Sequence, residues 1–241
     1  MNVHVFASEA QAARAAASLF AAQLLRKPAS VLGLATGSTP VSVYAELARM
    51  HEDGVLDFSR AVSFNLDEYV GLPKDHPQSY HSFMHRSLFS RVNLQASFLP
   101  DGEAEDLPAE CRRYDEAIAR SGGIDLQLLG IGSNGHIGFN EPAREFAFGT
   151  NLVDLAQDTI EANKRFFYSA ADVPRRALSM GVGTIMQARG IVLLALGEEK
   201  AQAVKAMAEG PVTPRVPASI LRFHQDATVL LDRGAAKLLT R

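Results

Sequence analysis

Apolar residues in this chain fall into short, nearly unbroken runs, separated by longer stretches where apolar and polar positions recur at helical spacing. The runs Val3–Phe6, Ser30–Leu34, Val62–Leu66, Ile124–Leu129, Ile191–Leu196 and Thr228–Leu231 have the length of strands. Several are apolar at consecutive positions, which predicts burial on both faces, as in a parallel sheet covered by helices. Between them, the alanine-rich segment Glu9–Arg26 follows Ser8 as a plausible cap, and Glu103–Arg120 and the residues from about Glu198 also have helical character. Pro40 is placed to open a helix as its first residue. Repetition of strand then helix predicts a three-layer α/β/α fold on a doubly wound, mostly parallel sheet. No internal repeat or long polar linker divides the chain, so residues 1–241 are expected to form a single domain.

Composition narrows the class. Although 47% of residues are apolar, the uninterrupted runs are strand-length, far short of the roughly 18 residues needed to span a bilayer. No basic stretch precedes the first run, so no secretory leader and no membrane association are expected. The one cysteine, Cys111, has no internal disulfide partner and no metal-ligand spacing around it, which fits a reducing cytoplasm. A net charge of -3, from 24 basic and 27 acidic residues, gives no general footing for nucleic acid. A small phosphorylated anion held by one or two basic residues is compatible with this balance.

In such a sheet, ligands bind beyond the carboxyl ends of the strands. Three chemically loaded segments have that address. Thr36-Gly37-Ser38-Thr39 combines hydroxyls, a glycine and a following helix start, which suits either a phosphate cradle or a simple helix cap. Asp67 and Glu68 end the next strand; in extended chain they point to opposite faces, so one enters the site, as a general base or as a solvated acid. The run Gly130–Pro142 surrounds His136 with glycines at 130, 132, 135 and 138 and places Glu141 where it can orient or polarise the imidazole. Arg165 and Lys200 are candidates for a phosphate, or surface charges. His76, His81 and His85 lack the further ligands of a metal motif; Pro73–Arg86 reads instead as a lid or mobile helix.

Taken in order, LGLATGSTP, FNLDEYVGLP, SYHSFMHRSLF, LGIGSNGHIGFNEP, NKRFF and GVGTIMQARGIVLLALGEEKA resemble the NagB-type glucosamine-6-phosphate deaminases, in their short bacterial form, over about residues 30–208. That resemblance implies a Rossmann-like fold of the NagB and ribose-5-phosphate isomerase kind. It also implies conversion of glucosamine 6-phosphate and water to fructose 6-phosphate and ammonia, in cytoplasmic degradation of N-acetylglucosamine. On the same basis His136, polarised by Glu141, opens the sugar ring and Asp67 moves a proton from C2 to C1. Thr36, Gly37, Ser38 and Thr39 would hold the phosphate with Arg165 and Lys200, and neither cofactor nor metal is required. Where some relatives have Asp, this chain has Asn134, which can orient the imidazole through its carbonyl but supplies no full negative charge. The end of the chain at Arg241, without the extra segment of longer allosteric hexamers, leads us to expect a monomer or small homo-oligomer. A 6-phosphogluconolactonase-like hydrolase, a galactosamine-6-phosphate deaminase and a sugar-phosphate sensing domain are the alternatives.

Overall fold

The computed structural model describes residues 1–164, 167, 169 and 172–240. Its main sheet has seven strands: β1 (Asn2–Phe6), β2 (Val31–Leu34), β3 (Val62–Asn65), β5 (Ala96–Phe98), β6 (Leu126–Leu129), β9 (Gly190–Ala195) and β10 (Ala227–Asp232). All pair in parallel, in the order β1-β10-β9-β6-β2-β3-β5. From β2 the chain winds outward through β3 to β5, then returns to the other side of β2 with β6. The crevice between the ends of β2 and β6 is therefore the switch point at which ligands bind in such sheets.

The continuous apolar runs become the central strands: every residue of β2 and β9 is buried. In β2, Gly33 makes room for its neighbour, since a Cβ there would meet Gln127 Oε1 of β6 at 2.0 Å. β1 instead forms an edge, and its side chains are largely exposed. Helix α1 (Glu9–Arg26) starts where expected, with Ser8 accepting from the Gln11 amide, and its buried Ala12, Ala13, Ala16, Ala17 and Phe20 let it lie close over the sheet. Helix α2 (Val41–Glu52) begins one residue after Pro40, which occupies the cap position with helical dihedrals. Helix α4 (Leu107–Arg120) begins four residues later than expected, because Asp106 caps it through the Ala109 amide.

A second, three-stranded antiparallel sheet was not foreseen. It consists of β4 (Asp67–Tyr69), β8 (Arg176–Ser179) and β7 (Asn151–Asp154), in the order β4-β8-β7. Leu66 hands the chain from one sheet to the other: its N–H still bonds Leu34 O in the main sheet, while its carbonyl accepts from Met180 N. The small sheet, with helix α5 (Gln157–Asn163), encloses its own apolar cluster of Tyr69, Phe139, Leu155, Ile160, Val173 and Ala177.

The supposed mobile segment is packed. Helix α3 (Tyr80–Met84) runs into a π-turn over His85–Phe89, and Met84 and Leu88 join the main core. His81 and His85 are exposed, and among the described residues no group of His, Cys, Asp or Glu is arranged to hold a metal. No helix among them is long and apolar enough to cross a membrane.

Candidate active site

The loops after β2 and β6 face each other across a cleft of about 190 Å³, lined by Thr36, Gly37, Ser38, Thr39, Asp67, Asn134, His136 and Lys200 among others. Nine of the ten predicted site residues can be compared with the structure; Arg165 lies outside the described residues. Eight of these line the cleft, and Glu141 stands just behind it, bonded to two of the lining residues.

At the β2 end, Gly37 has a φ of +99°, the left-handed conformation glycine adopts without strain, and it turns Thr36–Thr39 across the cleft floor. The loop is braced from behind by Tyr44 of α2, whose hydroxyl donates to Ala35 O at 2.5 Å. At the far side, Gly197 (φ +91°), two residues past β9, caps a short 3₁₀ turn, Glu198–Lys200, and Lys200 lines the cleft.

The hand-off at Leu66 orients the two neighbouring acids. Because β4 is extended, Asp67 points into the cleft and Glu68 away from it. Glu68 accepts the backbone N–H groups of Tyr69, Tyr80 and His81, each at 2.9 Å, and so pins the start of α3. Burial raises its carboxyl, and these three amides pull the other way. Asp67 is only 4% exposed and, among the described residues, has one weak donor, Thr36 Oγ1 at 3.5 Å from Oδ1. Burial first, then the adjacent Glu68, push its carboxyl up to about 8. The result is a desolvated, strongly basic carboxylate at a cleft wall. Tyr80 and Phe139 stack beside it, 5.9 Å apart, and keep that wall apolar.

The glycine-rich loop is shaped around His136. Gly135 (φ +88°) and Gly138 (φ +57°) provide the turns, and Gly132 lies under the ring, where a Cβ would come within 2.2 Å of His136 Cε1. His136 Nδ1 is 3.3 Å from Glu141 Oε2, a close contact without hydrogen-bond geometry. Burial pushes the Glu141 carboxyl up, but His136, Thr159 and Asn134 together outweigh it and bring it down to about 2.

Asn134 acts otherwise than expected. Its carbonyl accepts from the His136 backbone N–H at 3.1 Å, and its Nδ2 donates to Glu141 Oε2 at 2.8 Å. Its carbonyl thus sets the loop, and its amide anchors the carboxylate that faces the imidazole. Thr159, Asn163, Tyr80 and Phe139 were not anticipated at the site. Thr159 comes from α5 and donates to Glu141 Oε1 at 2.5 Å. No local pattern in the sequence marks that contact; the only signal for Tyr80 and Phe139 was their place inside motifs read for other residues.

The chain is similar to known proteins over nearly its whole length. The family model of glucosamine-6-phosphate isomerases and 6-phosphogluconolactonases matches residues 6–230. A glucosamine-6-phosphate deaminase of Halothermothrix orenii is 52% identical over 99% of this chain and 100% of its own length. That of Thermoanaerobacter sp. strain X514 is 50% identical over 99% and 95%, respectively. A solved monomeric glucosamine-6-phosphate deaminase of the NagB superfamily superposes with a TM-score of 0.96, at 44% identity, over 99% of this chain and 100% of that one. The 6-phosphogluconolactonase of Trypanosoma brucei, at 21% identity and a TM-score of 0.74, over 99% of this chain and 98% of its own, shares the fold. The chain belongs to the glucosamine-6-phosphate isomerase and 6-phosphogluconolactonase family, on its glucosamine-6-phosphate deaminase branch.

Proposed function

We propose that this cleft converts glucosamine 6-phosphate and water to fructose 6-phosphate and ammonia. The observation that carries the reading is the convergence, on one cleft, of a buried basic carboxylate (Asp67), a carboxylate-backed histidine (His136) and a hydroxyl loop with a lysine opposite (Thr36–Thr39, Lys200).

Each part has a step it suits. Nδ1 of His136 faces Glu141, which leaves Nε2 to take the O1 proton and return it to the ring oxygen as the C1–O5 bond breaks. The open-chain aldehyde makes the C2 proton acidic. Asp67 removes that proton as O1 takes one up, giving an enolamine, and delivers it to C1 as the nitrogen gives one up, giving a ketimine at C2. Water adds to C2 and ammonia leaves, so the C2 ketone of fructose 6-phosphate remains. C1 is reduced and C2 oxidised within one molecule, so no electron carrier is needed. Thr36–Thr39 and Lys200, with Arg165, hold the phosphate through charge-assisted hydrogen bonds and so fix a flexible open chain for proton transfer.

We further propose that residues 1–241 act as one catalytic unit, as a monomer in the cytoplasm; the monomeric relative with the same fold supports the first part of this. Ammonia release, followed by a coupled assay, tests the reaction. Glucosamine 6-phosphate is expected to be turned over faster than its galactosamine epimer, and 6-phosphogluconolactone not to be hydrolysed. Lactone hydrolysis without ammonia release would overturn the assignment.

A further inference from the structure

We propose that Thr159 is a positioning residue for ring opening, its hydroxyl holding the Glu141 carboxylate in the plane from which it supports His136. The proposal rests on the ring-opening role given above to His136 and Glu141.

A carboxylate attached through a flexible side chain can rotate about its last bond, and only some orientations direct a lone pair at a neighbouring N–H. Here each oxygen has its own neutral donor from a different part of the chain. Asn134 Nδ2 reaches Oε2 at 2.8 Å from within the glycine-rich loop, and Thr159 Oγ1 reaches Oε1 at 2.5 Å from α5. With either donor alone the group keeps one degree of rotation; with both, its plane is fixed. That plane matters because His136 Nδ1 stands 3.3 Å from Oε2 but off the hydrogen-bonding direction, so a small rotation decides whether the imidazolium proton is met.

The donors' neutrality also matters. Ring opening makes His136 transiently cationic, and Asn134 contributes no charge to offset it. Glu141 must supply the whole negative charge at that point. A lysine or arginine in place of Thr159 would fix the carboxylate but cancel the charge it offers; a hydroxyl fixes it and leaves the charge in place.

Thr159 is itself buried, and the adjacent Ile160 sits in the apolar cluster with Tyr69, Phe139 and Leu155. Helix α5 is therefore seated by apolar contacts that do not involve the hydroxyl. Thr159→Val keeps the shape and the packing and removes one hydrogen bond.

Ring opening can be read alone in an Asp67→Asn background, where transfer to C1 is blocked, as the enzyme-catalysed exchange between the α and β anomers of glucosamine 6-phosphate measured by magnetisation-transfer NMR. Adding Thr159→Val should slow this exchange by about tenfold or more, as expected for losing a hydrogen bond to a charged group. Thr159→Ser should restore it to within about threefold, and calorimetric affinity for the sugar phosphate should stay within about twofold. Should the valine variant not fold, Thr159→Ala is expected to show the same loss. Exchange at the parental rate in Thr159→Val, equal loss in Thr159→Ser, or a fall in affinity that accounts for the slower exchange would each overturn the proposal. Glu141→Gln in the same background separates the two levels: if it also leaves exchange unchanged, the ring-opening role itself fails; if it alone slows exchange, only the role of Thr159 fails.

Discussion

The burial that makes Asp67 a strong base also burdens the fold, and Asp67→Asn measures that burden. Burial and the neighbouring Glu68 raise its carboxyl from the ordinary 3.8 to about 8. A carboxyl raised on folding keeps a proton that the unfolded chain has already lost. Between those two values the unfolded state therefore gains as pH rises: the contribution of Asp67 is most favourable below the lower value, declines through the window and levels off above the upper one. At roughly 1.4 kcal/mol per pH unit, the span from pH 5 to 8 amounts to about 4 kcal/mol, and relaxation around the charged group reduces it to on the order of 2 kcal/mol. Asparagine has nearly the same shape and cannot ionise, so the variant escapes this decline. Its melting temperature should exceed that of the parent by a margin that widens by about 4–8 °C from pH 5 to pH 8, given about 2–4 °C per kcal/mol for a domain of this size. Calorimetry is the suitable assay, because the chain has no tryptophan to report unfolding by fluorescence. Glu141, held down to about 2, titrates below the window, and groups unaffected by the substitution cancel in the difference. A margin that stays constant or narrows between pH 5 and 8 would refute the reasoning. The same variant should lose C2-proton exchange by about a thousandfold while still binding substrate.

Because Asp67 must be ionised in the free enzyme to act as base, kcat/KM should climb with pH towards about 8 and then level off; a profile flat from pH 5 to 8 would contradict its role. Gly132→Ala would put a Cβ within 2.5 Å of three His136 ring atoms, so turnover should fall at least about tenfold with the melting temperature nearly unchanged, as compared by activity assay and calorimetry. Lys200→Ala should weaken inhibition by inorganic phosphate by about tenfold, with little change for an unphosphorylated amino sugar. Dialysis against a chelator should leave turnover of the purified enzyme unchanged.

The main sheet was legible because its strands are buried on both faces, and such strands announce themselves as unbroken apolar runs: Ile191–Leu196 needed no context to be read. The same rule pointed to the candidate cleft, since Thr36, Asp67 and His136 each follow such a run and line it together. Alternation along an extended chain also separated Asp67 from Glu68, and the structure gives them opposite surroundings. The small sheet escaped notice for the converse reason. Asn151–Asp154 and Arg176–Ser179 are half polar, and the pairing of Arg176–Ser179 with Asp67–Tyr69 joins residues more than a hundred positions apart in sequence. Asn134 was legible as a member of the site but not in its action. Whether an amide faces an imidazole, a backbone N–H or a carboxylate depends on how a turn closes, and here the turn closes with Gly132 N–H on His136 O. Thr159 was not legible at all, because a threonine in a polar helix looks the same whether or not a carboxylate waits beside it.

What separates the two carboxylates at this site is how deeply each is buried and which charges and donors face it. Asp67 is buried and Glu141 half-buried, and burial pushes both upward. Glu141 faces the His136 imidazole and receives hydrogen bonds from Thr159 and Asn134, and it ends near 2; Asp67 is more deeply buried, has a like charge next door and, among the described residues, receives one long contact from Thr36, and it ends near 8. A group that must take a proton from carbon needs basicity, while one that must stay anionic beside a cationic histidine needs the reverse. The roles therefore cannot be exchanged by swapping the side chains, since Asp or Glu at either position would inherit the same donors. Moving the donors would exchange them: a second hydroxyl placed against Asp67 should lower its basicity and its rate of C2-proton removal together, and leave ring opening at His136 as it was.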